Sequence, residues 1–397
     1  MVRSIFYHLG ASYSQLPLYE AARKLGAATV AASTPGDWPG FAVADESVYA
    51  DITNPEAILK AAQEKGIDGI ATCCLDAGVR ALGYTCEKMG LIGPSARAAD
   101  ISNDKFKMKE AFMAGGVQCA RHICIHSLEE LEEALEKLKF PVVLKAVDLM
   151  GSRGIFRCNT REETFFYYNK TMEATRKDYC LVEEFIEGQV LGCEAMIRDG
   201  KLLYCLPNNI EAFQSYVPTP IGHSVPYRKQ EELGAEVRHQ VELAIKAVGL
   251  DNCPVNCDLI EKDGKIYVIE ITGRAGGTCL PEMVSIYYGI NYYEAIVRLA
   301  LGMDVEEMFR GKTSGVANLS RTLLSEKDGV VKAIHNENEP AEDIVDLSFN
   351  IAPGEEVHHY TNGRDRLGQV ILRGESLESC EKRLQEILSK INIEFTV

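Results

Sequence analysis

The stretch from Cys257 to Thr278, CDLIEKDGKIYVIEITGRAGGT, constrains this chain more than any other part of it. Two runs of β-forming residues flank Asp263 and Gly264, a dipeptide that favours the tight turn of an antiparallel hairpin. Each run carries one carboxylate among apolar neighbours, Asp258 before the turn and Glu270 after it. Pairing the runs across a slightly irregular turn brings the two together. Adjacent carboxylates repel and raise each other's pKa unless a cation sits between them. Mg²⁺ or Mn²⁺ suits that place, because Mg²⁺ takes one or two protein carboxylates and completes its shell with phosphate oxygens and water. The bland alternative is a solvent-facing pair on an amphipathic hairpin. The second strand leaves through Thr272, Arg274, Gly276 and Gly277, a basic residue on a glycine-rich exit that lets backbone approach a ligand closely.

Further stretches read as parts of a phosphate site, an adenine site and an acceptor site. Lys145 closes the strand PVVLK, and the loop after it, DLMGSRGI, offers Gly151, Ser152, Arg153 and Gly154, whose backbone N–H groups can wrap a phosphate. The spacing is not that of the P-loop, so this is a different way of holding a triphosphate. In LVEEFIEG, an extended backbone through Glu183, Glu184, Phe185 and Ile186 presents alternating N–H and C=O groups that suit an adenine edge. The acceptor side is thinner: SYVPTPIGHSVPYR, Ser215 to Arg228, reads as an interrupted loop in which His223 is a candidate for touching substrate, with Arg80 as a candidate carboxylate clamp.

Around these motifs the chain divides in three. Residues 1–93 alternate strands with helices such as Pro55–Lys65, with Asn54 as its cap and Gly66 as its stop, which predicts an α/β domain with a parallel sheet. Residues 94–310 mix helices with two Asp-Gly hairpins, an α+β body whose small lobe spans about 117–188, and its first site helix starts at Ser102 or Asn103. Residues 311–397 end in a strand and a helix, a small α+β closing domain. With 42 basic and 58 acidic residues the net charge is −16, which gives no footprint for nucleic acid or for an anionic membrane. No apolar run reaches the roughly 18 residues of a membrane span, and the N-terminus does not resemble a signal peptide, so a cytoplasmic protein is expected. The 13 cysteines contain no Cys-x-x-Cys pair and read as reduced thiols.

Taken in order, NDKFKMK, PVVLKAV with GSRGI, LVEEFIEG and DLIEKDGKIYVIEITGR resemble the ATP-grasp superfamily of carboxylate-amine ligases, akin to amino acid and dipeptide ligases and sharing the fold of carbamoyl phosphate synthase and biotin carboxylase. The resemblance implies ATP and Mg²⁺. It casts Lys105 and Lys145 as phosphate lysines, Glu183, Glu184, Phe185 and Ile186 as the adenine hinge, Asp258, Glu270 and Thr272 as the metal set, and Arg274, with Lys145 and Arg153, as the charge-balancing catalytic group. Gly276 and Gly277 would approach the substrate. Two positions depart from the family: Thr272 stands where Asn is usual, and Val190 replaces a ribose-binding glutamate, which leaves Glu194 as the substitute. The implied reaction joins a small carboxylate to an amine through an acyl phosphate, the substrate being an amino acid or small peptide and the enzyme a homodimer. The rivals are a purine-biosynthetic ATP-grasp enzyme acting on a ribonucleotide and a non-catalytic ATP-binding regulatory protein.

Overall fold

The computed structural model describes residues 3–149, 151, 153–214, 218–311, 313–361 and 365–396. The first strand, Ile5–Leu9, pairs in parallel with Ala28–Ser33 on one side and Gly69–Ala71 on the other, and Glu46–Tyr49 completes the four-stranded sheet. Parallel neighbours need a crossover, and the helices Leu16–Lys24 and Pro55–Lys65 supply two of these. The second helix starts as its sequence dictates: the Asn54 side chain accepts from the Ala57 N–H, and Gly66 stops it at φ 62°.

The body is built on one antiparallel sheet of eight strands. It runs from Lys265–Thr272 through Cys253–Lys262, Gln189–Arg198, Lys201–Gln214 and Pro218–Val225 to Ala317–Leu324, Arg366–Gly374 and Ile344–Phe349. Both Asp-Gly turns form as read: Asp199 and Gly200 have φ of 49° and 73°, Asp263 and Gly264 of 52° and 74°. Left-handed values at both central positions match the right-handed twist of the strands they join. A separate four-stranded sheet, His122–Ile125, Cys180–Glu184, Val142–Ala146 and Ile155–Cys158, carries the helices Leu128–Leu135 and Arg161–Ala174 on its own apolar core around Leu131, Leu144 and Val182.

Two expectations change. Pro218–Val225 is a strand paired with Lys201–Gln214, not part of an open loop; its prolines are accommodated by a shift of register between Glu211 and Ala212. Ser215 lies outside the described residues. The C-terminal segment also does more than close the molecule, since Ala317–Leu324 pairs with Pro218–Val225 and extends the body sheet. Gly222 permits this approach, because a Cβ there would meet the Ser320 carbonyl at 2.5 Å. A three-stranded sheet of Glu356–Val357, Gly329–Asn336 and Ile391–Thr396 completes the segment beneath Leu377–Leu388.

The first sheet does not stand apart. One buried cluster joins Phe6, Leu18 and Ala71 to Met196, Tyr204, Met283, Tyr292 and Val297 of the body, so both share a core. That contact places the loops after Ile5–Leu9 and Gly69–Ala71 against the hairpin exit, where Cys73 bridges Ala275.

Candidate active site

A β-bulge explains how carboxylates sit within apolar strands. Asp258 pairs with Glu270 but Leu259 pairs with Val268, so Ile269 is the extra residue. A bulge re-aims the side chains beyond it. Here Val268 and Ile271 both enter the core with Leu259, while Asp258, Glu270 and Asn256 are left on the opposite, partly open side. Burial, with the Glu270 charge second, pushes the Asp258 carboxyl up to about 7. Glu270 goes the other way, pulled down first by Lys105, whose Nζ lies 3.0 Å from it.

Lys105 owes its position to its helix, Lys105–Gly115. The cap is Asp104, whose carboxylate accepts from the N–H groups of Phe106 and Lys107, and not Ser102 or Asn103. Ser102 instead ends the preceding short helix, Ala96–Ser102. Lys105 Nζ also donates to the Leu149 carbonyl at 2.9 Å. One turn on, Lys109 lies on the same helix face and reaches the Val268 carbonyl and the Glu183 carboxylate at 3.3 and 3.4 Å. Lys145 pairs with Glu183 as well. Despite burial, the two lysines hold the Glu183 carboxyl down at about 2. Three lysines with Glu183, Glu270 and Asp258 thus line one pocket, whose other walls include Phe185, Ile186 and Val190.

The hinge residues divide their labour. The Glu183 carboxylate is the lysines' counterion, and that of Glu184 turns aside to accept from the Lys139 N–H at 3.0 Å. Phe185 lines the pocket under the guanidinium of Arg157, 4.2 Å from the ring centroid. In the glycine loop, Gly151 and Gly154 take φ of 64° and 65°, and Gly151 lines the pocket. Arg153 is exposed, and Ser152 lies outside the described residues.

Arg274 is gripped by Asp76, from the loop after Gly69–Ala71, through two hydrogen bonds of 2.7 and 2.8 Å. Its Nη1 donates to Asn256 Oδ1 and to the Ala275 carbonyl, which leaves one Nη2 hydrogen uncommitted among the described residues. Burial would lower the pKa of this arginine, but Asp76 outweighs it and holds the charge firmly.

Four expected residues are placed elsewhere. Glu194 is fully buried behind Gly276, accepting from its N–H and from Asn256 Nδ2, and does not line the lysine pocket. Burial pushes its carboxyl up to about 8. Gly276 is a packing requirement, since a Cβ would lie 2.6 Å from Glu194 Oε1. His223 is buried against Asn208 Oδ1 at 2.9 Å, in a different cleft beside Arg321. Burial lowers its pKa to about 4, which keeps it neutral. Arg80 pairs with Asp100 at 3.1 Å on the surface.

Lys109, Asn256 and Asp76 were missed. The first two had a signal: Lys109 stands four residues after Lys105 on a helix, and Asn256 two before Asp258 on a strand. Asp76 had none, because a loop from another sheet carries it.

A divalent cation fits the donors. Asp258 and Glu270 supply hard oxygens, and the buried hydroxyl of Thr272, at the position where the resemblance puts Asn in the metal set, lies beside the Asp76 carboxylate. Among the described residues no group of three or more His, Cys, Asp or Glu gathers around a metal position.

Beyond Arg274 a second cleft of about 660 Å³ opens between the first sheet and the C-terminal strands, lined by Ser14, Glu282, Asp346 and Arg366. Three non-glycine residues on its wall, Cys74, Thr278 and Cys279, hold left-handed φ of 59°, 53° and 65°. Such strain persists where surrounding structure imposes it, and it gathers at ligand sites.

A fold of this kind, with three lysines and a hairpin carboxylate pair around one pocket, defines a nucleotide-dependent ligase, and the comparisons with known proteins agree. Residues 102–278 match the ATP-grasp domain and residues 321–396 match the L-amino acid ligase C-terminal domain 2. The structure of a phosphoribosylglycinamide synthetase from Anaerococcus prevotii is 39% identical, with a TM-score of 0.85 and coverage of 100% of both chains. An L-amino acid ligase from Bacillus licheniformis shares the fold at a TM-score of 0.85 with 20% identity, again over 100% of both chains. Alanine–anticapsin ligase of Bacillus subtilis (strain 168) is 25% identical over 276 residues, 63% of this chain and 58% of its own length. The chain belongs to the ATP-grasp ligases, enzymes that bind ATP with Mg²⁺. Among the described residues no helix is long and apolar enough to cross a membrane, and all 13 cysteines are free.

Proposed function

We propose that the protein joins the carboxylate of an amino acid or small peptide to an amine through an acyl phosphate. The observation that carries this reading is the register pairing of Asp258 with Glu270 at the end of the three-lysine pocket, next to Arg274. Asp258, Glu270 and the Thr272 hydroxyl would hold Mg²⁺, which would supply positive charge to offset that of the phosphates. Phe185 and Ile186 cover the base, while Lys105, Lys109 and Lys145 face the phosphates and balance charge that passes to ADP. A carboxylate oxygen of the substrate bonds to the γ-phosphorus as the bond to the bridging oxygen breaks. An amine nitrogen then attacks the acyl carbon. The C–N bond forms, the C–O bond to phosphate breaks, and the amine loses its proton. Arg274, fixed by Asp76, directs its remaining Nη2 hydrogen to the oxyanion of that adduct.

The amino acid class is supported by the match of residues 321–396 and by the similarity to alanine–anticapsin ligase. A second reading rests on the 39% identity with the phosphoribosylglycinamide synthetase, whose product carries a phosphate. The second cleft weighs against it, because Glu282, Asp346 and Glu355 oppose Arg366 alone there. The test incubates the protein with MgATP, single carboxylates and hydroxylamine, then with pairs of amino acids. Stoichiometric ADP and hydroxamate are expected with an amino acid or small peptide. ATP consumption that no carboxylate stimulates would sink the proposal.

A further inference from the structure

The second cleft has a chemistry of its own. Arg366, on the strand Arg366–Gly374, donates from Nη2 to Ser14 Oγ of the first domain at 3.0 Å and takes part in no ion pair among the described residues. A guanidinium lining a cleft with a neutral hydroxyl as partner still offers a fork suited to a carboxylate. On the other side is Glu282, in the first turn of Leu280–Tyr288. Its Oε1 accepts from the Tyr293 hydroxyl at 2.6 Å, but its Oε2 is buried without any partner among the described residues. An orphaned acceptor of this kind is costly, and a ligand donor would satisfy it. Asp346 lies on the same cleft with one oxygen engaged, Oδ2 accepting from Gln369 Nε2 at 2.6 Å and from Ser348 Oγ at 3.0 Å. Both Arg366 and Glu282 act electrostatically on the Cys279 thiol, which places the opposite charges around one residue. Pro17, Val345, Phe349 and Ile371 supply apolar walls.

From this arrangement we infer that the cleft binds the amine substrate as an α-amino acid with a free carboxylate, the carboxylate on Arg366 and the amino group on Glu282 and Asp346. The inference rests on the ligase reading and narrows it. The carboxylate held by Arg366 is the one that does not react, so the product keeps a free C-terminal carboxylate. A net excess of carboxylates on the walls disfavours a phosphorylated sugar in the same space, since like charges brought out of water repel strongly. Cys74, on the wall of this cleft, reaches the Gly276 carbonyl at 3.1 Å, which ties the cleft to the hairpin exit that carries Arg274.

The experiment uses the full chain with MgADP. Calorimetry measures binding of the L-amino acids, of their C-terminal amides and of ribose 5-phosphate to the natural protein and to Arg366→Gln and Arg366→Lys. At least one free amino acid is expected to bind about tenfold to a hundredfold more tightly than its amide. Arg366→Gln should erase that difference, and Arg366→Lys should keep part of it. Thermal melts of both variants check folding, and if Arg366→Gln unfolds, Arg366→Lys carries the comparison, an acid-over-amide preference undiminished from that of the natural protein overturning the inference. Amides that bind as well as the acids, or ribose 5-phosphate that displaces the amino acid, would overturn the inference. ADP release is scored in parallel. Acid-selective binding without carboxylate-stimulated ADP release removes the ligase reading and leaves the site standing. Amide formation with no acid selectivity does the reverse.

Discussion

Glu194 and Asp258 are both carboxyls raised by burial, yet their settings differ. Glu194 is sealed behind Gly276 and does not line the lysine pocket, whereas Asp258 faces that pocket beside Glu270. Because the folded pKa of Glu194, about 8, exceeds its ordinary 4.5, the folded state holds a proton that the unfolded chain has lost. Its stabilising contribution is therefore complete below pH 4.5 and fades as pH rises through 8. Glu194→Gln keeps an acceptor for the Gly276 N–H and removes the titration. The fall in stability between pH 5 and pH 8, read by chemical denaturation, should shrink in this variant; an unchanged fall would show that Glu194 is ionised without penalty. Glu270→Gln tests the other setting. Its partner Lys105 is paired across a side chain that is 40% exposed, so the loss of stability should stay within about 1 kcal/mol while ATP turnover is abolished. Near-normal turnover would remove Glu270 from the metal set. At this scale the sequence was legible where a charge broke an apolar pattern, as at Asp258, Glu270 and Lys145. It misled where a charge is buried for packing, as at Glu194, or paired on the surface, as at Arg80, because burial and partners are properties of the folded chain.

Two elements position the charges, and each depends on a local device. The hairpin was legible from Asp263 and Gly264, whose left-handed turn fixes the pairing of Lys262 with Lys265. The bulge at Ile269 was not, since a single extra residue leaves no compositional mark, yet it alone sets the phase that puts Glu270 opposite Asp258. The helix Lys105–Gly115 was legible as a helix, but three polar residues in a row, Ser102, Asn103 and Asp104, competed for its cap. Asp104 wins with two backbone N–H groups and the Tyr179 hydroxyl as donors. Removing it should fray the turn that carries Lys105. Asp104→Ala is expected to lose about 1 to 2 kcal/mol of stability and to raise KM for ATP, since Lys105 would no longer be held at the helix start. Lost stability with an unchanged KM for ATP would show that Lys105 finds the pocket without its cap.

At the scale of the molecule, the active site is assembled by parts distant in sequence. The extension of the body sheet by Ala317–Leu324 and Arg366–Gly374 was hidden in the sequence, because strand adjacency over such separations is decided by packing and leaves no periodic trace. The same holds for Asp76, which reaches from the first domain to Arg274 with side chains only 20% and 11% exposed. Breaking one side of a pair this sheltered leaves a charge without its partner and costs about 3 to 5 kcal/mol. Asp76→Asn retains one acceptor and should fall at the lower end, about 3 kcal/mol, in denaturant unfolding. Its kinetic effect separates two roles. If Asp76 only fastens the domains, KM values for ATP and both substrates should drift together with stability. If it aims Arg274 at the adduct, kcat falls sharply while KM for ATP, set chiefly by Lys105, Lys109, Lys145 and the apolar walls of their pocket, changes less. We expect the second pattern, because both carboxylate oxygens of Asp76 accept from the Arg274 guanidinium. A loss of stability with an intact kcat would assign Asp76 to assembly alone.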